Sequence, residues 1–506
     1  MFNMARLKRP FMQMELRQRP RTDAAACPRR ATASWKGLVR AFDTELARPE
    51  IEGVPIGSTL TDLLAIEFIN GGGEWGIKER WLDRLRWWRY YFRAARPPAS
   101  AGQVVAGRIL VTWRSSTARI DGLMAPLLAE LSPDRCAVLY QNANVLNRLP
   151  PETDAVSWKQ AVAHNRGRWL SNFRNCWPQW RSRLQVLCTS FDLPRGARER
   201  LSLSILVNSQ LAVGCMDWLQ RCRPVAVVTE YDRAGLASAL VLAARSLRIP
   251  TFSLQHGVLD RDAAGYVPVI ADRMFCWGEM HRRLMIAAGQ DPANLAIGGC
   301  PRLTRELPAD PQQVRKHLNI NPSQRVAMLG ASPVQPEQRR LLASWFCDAV
   351  SQLDGVSGLV RLHPSENLEF YADMARNHPR IRFMDNSQFT LDESLAATDV
   401  VVVHNSGIGS DALVKRRLVA VVDIPDVPLG HGKDLIEQAG CPRAAGPEEL
   451  AAALRRLLFD EEGRRRHFDT ADRFVDDFCA YFGQDSARRI AEAVLEAIHA
   501  DGGGRR

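Results

Sequence analysis

The sequence predicts an α/β chain: two Rossmann-like, doubly wound domains in tandem facing a central cleft, preceded by a helical extension. Three observations carry this. Short β-branched apolar runs alternate with amphipathic stretches of helical period. The runs are apolar at consecutive positions, as in DVVVVHN at 399–405, which suits parallel strands covered on both faces. The alternation also breaks at Gly299-Cys300-Pro301 and restarts near Arg325.

The elements follow in order. Residues 1 to about 30 are rich in Arg, Pro and Met without sustained period and read as a loosely attached basic arm. From Trp35 to Ala95 the pattern is helical, interrupted at Gly71-Gly72-Gly73. Its last part places Trp81, Leu85, Trp88 and Phe92 on one face with arginines around the rest. Such a helix suits a membrane surface, but docking on its own domain is the favoured reading. A linker signal, RPPAS, closes residues 1–100.

The first domain, 101–300, has predicted strands at 107–113, 136–141, 224–230, 250–256, 273–278 and 294–299. Helices are expected at 119–131, 233–248 and 278–289. A Trp-rich helical insertion spans 155–222. In the second, 301–475, strands are expected at 325–330, 358–364, 381–385, 399–405 and 418–425. Its helices should cover 337–353, 366–377, 391–397, a stretch from about Gly409, and 448–458. A last helix over 461–499 leads into a C-terminal segment, 476–506.

Bulk properties narrow the function. The 506 residues suffice for two or three domains, and 46% hydrophobic with 24% charged residues is a globular balance. The net charge of +11 suits an anionic partner. The eleven cysteines form no CxxC pair, so neither a zinc site nor a disulfide framework is indicated, and a reducing, cytoplasmic location is expected. No apolar run reaches the length of a membrane span, and the basic N-terminus lacks the core of a secretory signal. The protein is expected to be soluble or peripheral on the inner face of the plasma membrane.

Ligands of open parallel sheets bind at the carboxyl ends of the strands, so the residues after each strand carry the chemistry. In the second domain, VRLHPSEN sets His363-Pro364 at a strand-to-helix turn. Pro364 suits the first helical position, leaving His363 near the N-cap, where an anion is favoured, with Arg361 close by. VVVVHNSGIGSDAL supplies Ser406, Gly407, Gly409 and Ser410 in a second turn whose small residues allow backbone amides to approach a phosphate. Together these read as a cradle for a nucleotide diphosphate or phosphodiester; alone, the first reads rather as a helix-start histidine without a ligand, and the alternative for the second is a tight packing turn.

In the first domain, Gln255-His256-Gly257 ends a strand at the same cleft. Gly257 allows a sharp turn, and His256 suits a general base or an anion donor. The preceding strand ends at Glu230-Tyr231-Asp232. Glu230 and Asp232 are the alternative bases, and Asp232 reads first as a helix cap before RAGLASAL.

The series IPTFSLQHG, YVP, ADRMFCWGE and IGGCPRL, with VRLHPSE and TDVVVVHNSGIGSDAL, resembles bacterial surface-polysaccharide glycosyltransferases of the GT-B fold. Similar elements occur in capsule Kdo transferases, polysialyltransferases and the CDP-glycerol glycerophosphotransferases of teichoic acid synthesis. The resemblance covers roughly residues 225–425. It implies that His256 is a base or site histidine, that His363 meets the donor phosphate, and that Ser406 and Ser410 belong to the donor loop. Many GT-B enzymes carry a Glu for the donor ribose; here Asp411 is the nearest acid, with shorter reach.

The expected function is transfer of a sugar from a nucleotide-activated donor, CMP- and CDP-linked donors among the candidates, to a hydroxyl of a growing glycan or lipid-linked acceptor, with inversion. No cofactor is expected. No metal is expected either, since Asp399 stands alone and Asp423 and Asp426 are apart. The basic arm suits an anionic membrane face, and nucleic acid is not an expected partner. Alternatives are glycerophosphate transfer and a 2-epimerase-like isomerisation, the latter needing several cleft carboxylates, for which Glu230, Asp232 and Asp260 are the candidates. A non-enzymatic RNA- or membrane-binding scaffold is the reading from charge alone.

Overall fold

Consecutive apolar positions become buried parallel strands. The structure, a computed structural model, describes residues 50–60, 106–161, 166–191, 193, 195–233, 235–259, 266–307, 310–330, 332, 334, 336–363, 366–385 and 387–503. The predicted arm and Trp81 helix lie outside these residues, as do Asp260 and Pro364. Residues 51–60 do belong to the fold: Ile51, Val54, Ile56 and Leu60 are buried in the first domain's core, and Asn208 Nδ2 donates to the Thr59 carbonyl at 3.2 Å.

The first sheet contains β1 (Ile109–Trp113), β2 (Cys136–Tyr140), β3 (Asp154–Ser157), β4 (Ala226–Thr229), β5 (Thr251–Leu254), β6 (Arg273–Cys276) and β7 (Leu295–Ile297). Their order is β3-β2-β1-β4-β5-β6-β7. The second contains β8 (Arg325–Gly330), β9 (Val356–Arg361), β10 (Ile381–Met384), β11 (Val400–Val403), β12 (Leu418–Val422) and β13 (Arg443–Ala444), ordered β10-β9-β8-β11-β12-β13. All described pairings are parallel. In both sheets the order reverses beside the first strand, between β1 and β4 and between β8 and β11. A crevice opens at such switch points.

Helices cover both faces of each sheet, which is why β1, β4, β11 and β12 carry no exposed position. Helices 195–222 and 235–246 bury one face of the first sheet. Helix 118–130 covers the other together with the chain's last helix, 483–503, through Leu123, Met124, Ile490 and Val494.

The C-terminal chain therefore returns to the first domain, and the single helix expected over 461–499 is two, 461–478 and 483–503. The break arises where Ala480 donates to the Trp277 carbonyl at 2.9 Å and the Tyr481 carbonyl accepts from the Cys300 amide at 2.9 Å. Gly299 permits that crossing, with φ +77° and a Tyr481 carbonyl where a β-carbon would stand.

Three other expectations need revision. The stretch 155–222 begins with a strand, β3, before its helices. The segment 366–377 starts as a 3₁₀ turn at Leu368, because Asn367 accepts the Phe370 amide and caps there. Helices 311–317 and 432–437 lie where none was expected.

Candidate functional site

The strand register sets neighbouring turns side by side. Thr229 of β4 pairs with Thr112 of β1 and Ser253 of β5, so the residues after β1, β4 and β5 emerge together. There Arg114, Tyr231, His256 and Tyr266 form a row. The Arg114 guanidinium lies 5.6 Å from the Tyr231 ring centre. The Tyr231 and His256 rings meet edge-on at 4.6 Å, and His256 and Tyr266 are tilted at 5.2 Å. The Tyr266 hydroxyl is 3.1 Å from His256 Nδ1.

His256 is half-buried. Its carbonyl accepts a 2.6 Å hydrogen bond from Arg119 Nε. Burial, then the Arg119 and Arg114 cations, hold its imidazole well below the ordinary range, so it is neutral at pH 7. Gly257 lies so close to Arg119 that a β-carbon would overlap its Nη2. Gln255 does not line the cleft: it is buried, donating to the Gly257 carbonyl at 2.8 Å and accepting the Trp277 amide at 2.9 Å.

The two candidate carboxylates are occupied. Glu230 is fully buried and accepts from Thr112 Oγ1, from the Arg114 amide at 3.2 Å and from Arg114 Nε at 2.7 Å. Asp232 Oδ2 accepts the Ile270 and Ala271 amides at 2.8 and 2.9 Å. Burial raises the pKa of Asp232. Both hold backbone in place, and neither is presented as a base.

On the second sheet, the register of Gly330 with Arg361 aligns the ends of β8 and β9. His363 follows β9 but is not an N-cap, which corrects the expectation: among the described residues the next helical turn starts at Leu368, with Asn367 as its cap. The turn is closed by Glu366, whose Oε2 accepts the His363 amide at 2.8 Å while its own amide donates to the His363 carbonyl at 2.9 Å. Arg339 and the Tyr371 hydroxyl each lie 3.3 Å from Glu366 Oε1. Burial, then Arg339, lowers the His363 pKa, so it offers a neutral imidazole. Arg361 turns away and is buried, donating to the Phe389 carbonyl at 2.8 Å and to Ser394 Oγ at 2.7 Å.

The second turn divides. Ser406 is half-buried and Gly407 exposed. The adjoining Asn405 amide donates to Ser332 Oγ at 3.3 Å across the β8/β11 switch point. Gly409 is a packing glycine, since a β-carbon there would lie 2.6 Å from Leu435 Cδ1. Ser410 is fully buried against His431 Nε2. Asp411 is bound by Arg302 Nη1 at 2.8 Å and Nη2 at 3.2 Å. That pairing engages both oxygens of the carboxylate the sequence offers to a donor ribose.

The turns after β5 and β11 meet. Val258 Cγ2 lies 3.5 Å from a β-carbon built on Gly407, and Val258 packs against the core of the second domain. His256 and the Ser406-Gly407 pair therefore stand on adjoining turns of the two domains.

Arg114, Arg119, Tyr266 and Glu366 were missed from the sequence. The position after a strand points to Arg114 in TWRSS; Arg119 meets His256 only in the fold, while Tyr266 and Glu366 lie within ten residues of His256 and His363 but no spacing marks them. The sequence also holds an Asp-x-Asp spacing, Asp260-Arg261-Asp262, which follows β5 by six residues and lies outside the described residues. Among the described residues no three His, Cys, Asp or Glu side chains gather as a metal-ligand set, and no helix is long and apolar enough to cross a membrane.

No family model matches the chain, and no curated protein sequence does. Solved structures share its fold. A Listeria monocytogenes protein assigned as a UDP-N-acetylglucosamine 2-epimerase is 14% identical with a TM-score of 0.51, the match covering 79% of this chain and 98% of that one. The Neisseria meningitidis UDP-GlcNAc 2-epimerase bound to UDP-GlcNAc is 11% identical with a TM-score of 0.50, covering 77% and 100%. The likeness is that of two Rossmann-like domains in the GT-B arrangement.

Proposed function

We propose that the chain transfers a sugar from a nucleotide-activated donor to a hydroxyl of a glycan or lipid-linked acceptor, with His256 as general base. The observation that carries this reading is the place of His256, on the turn that adjoins the Ser406-Gly407 turn of the second domain, while both neighbouring carboxylates are bound to backbone or arginine. His256 takes the acceptor hydroxyl proton as oxygen attacks the anomeric carbon. The bond from that carbon to the phosphate oxygen breaks, and the nucleotide departs with its electron pair. His363, the Ser406 hydroxyl and the Gly407 backbone are the groups assigned to the leaving phosphate, where donor placement matters most. No cofactor is invoked, and EDTA should leave transfer unchanged; loss of transfer would direct attention to Asp260 and Asp262.

A second reading, 2-epimerisation of a nucleotide sugar, is favoured by the fold shared with the Listeria and Neisseria proteins. It requires breaking a C–H bond, so the product made in D2O carries deuterium at the inverted carbon. Incubation with UDP-GlcNAc, UDP-glucose, CMP- and CDP-linked donors and candidate acceptors separates the two. Transfer should give a glycan extended by the donor sugar, lost in His256→Ala. A deuterated epimer formed without acceptor would replace the transferase reading with the isomerase.

A further inference from the structure

The Tyr266 hydroxyl touches two groups at once. It lies 3.1 Å from His256 Nδ1 and 3.3 Å from the Gly257 carbonyl oxygen. Tyr266 is buried, and burial raises its pKa, so it remains a phenol with a single proton. A carbonyl oxygen only accepts. One assignment alone puts a proton in both contacts: Tyr266 donates to the Gly257 carbonyl and accepts from Nδ1–H. In the reverse arrangement Tyr266 donates to Nδ1, and its oxygen faces the Gly257 oxygen with no proton between them.

We propose that Tyr266 is a positioning residue that holds His256 in the Nδ1–H tautomer, leaving Nε2 bare to accept a proton. Nε2 is the ring nitrogen without a hydrogen-bond partner among the described residues. The partner of one imidazole nitrogen decides which form the other takes. Tyr266 is itself placed by its neighbours. Asp232 grips the Ile270 and Ala271 amides, four and five residues after Tyr266, and the Tyr231 ring packs edge-on at 6.0 Å. Arg119 fixes the His256 carbonyl.

The inference rests on His256 being the base, but its test does not. The full chain labelled with ¹⁵N-histidine reports the tautomer directly, His256→Gln identifying the signal. At pH 7 the wild type should show a protonated Nδ1 and an unprotonated Nε2. Tyr266→Phe, which keeps the ring, should move His256 toward the Nε2–H form. It should also lower kcat about 10-fold, part of what a general base contributes, with KM little changed. An Nε2–H tautomer in the wild type overturns the proposal without any variant, as does an unchanged tautomer in a folded Tyr266→Phe. If His256→Gln retains full turnover, the base assignment falls while the tautomer measurement still decides the role of Tyr266.

Discussion

Val258 and Gly407, 149 positions apart in sequence, stand so near across the two domains that a β-carbon built on the glycine would lie 3.5 Å from Val258 Cγ2. This proximity sets the His256 turn of the first sheet beside the Ser406 turn of the second. A ligand seated there meets the carboxyl ends of strands from both sheets, the geometry in which α/β proteins commonly bind nucleotides.

Gly257 tests the base's surroundings. A β-carbon there overlaps the end of the flexible Arg119 side chain, which can swing away at the expense of its 2.6 Å bond to the His256 carbonyl. Gly257→Ala should lower turnover about 10-fold, as misplacement of a catalytic group does, while the melting temperature shifts by only a few degrees. Unaltered kinetics would show that the Arg119 bond does not matter to the site.

Arg302 and Asp411 test the junction. Their two hydrogen bonds are largely shielded from water. The Arg302 stem also passes helix 118–130 so closely that a β-carbon on Gly122 would lie 3.0 Å from its Cγ, and its guanidinium lies 5.7 Å from the Trp277 ring. Asp411→Ala leaves the arginine without its anion and should cost about 3 kcal/mol. Removing both charges, as Arg302→Met with Asp411→Leu, should cost less than the single change. Urea unfolding of the three proteins checks this; equal losses in single and double variants would contradict it.

Buried histidines set the response to acid. Burial, then Arg456, brings His467 down to about 4, and its Nε2 accepts the Val419 amide at 3.3 Å, so a proton there would oppose that N–H. Burial, then His431, brings His281 down to about 3. The unfolded chain takes up these protons below about pH 6.5 while the folded chain does not. Their contribution is therefore complete above about pH 6.5 and is lost as pH falls toward 4. The raised carboxyls Asp232 and Glu366 act in the opposite sense, so the difference between wild type and variant is the clean measure. From pH 6.5 to 4.5 the wild type should lose about 2–3 kcal/mol relative to His467→Gln. Parallel stability curves would rule the histidine out.

The sheets could be read from sequence because strands covered on both faces must be apolar throughout: β8 occupies the predicted 325–330, and Val400–Val403 falls within its predicted run. β13 is two residues long, too short for any period, and its pairing with β12 defines it. The helix break after Phe478 is decided by Trp277 and Cys300, far earlier in the chain. The site divided in the same way. A histidine after a strand is visible locally, whereas the sequestration of Asp411 depends on Arg302, 109 residues away. Ser410 and His431 likewise meet only in the fold.

The most direct measurement is hydrogen–deuterium exchange of the full chain with and without a saturating nucleoside diphosphate, choosing among UDP, CDP and GDP the one that raises the melting temperature. Peptides covering 255–258 in the first domain and 363 and 404–408 in the second should gain protection together. Protection confined to one domain, or falling on surfaces away from these turns, would contradict a ligand site shared between the two sheets.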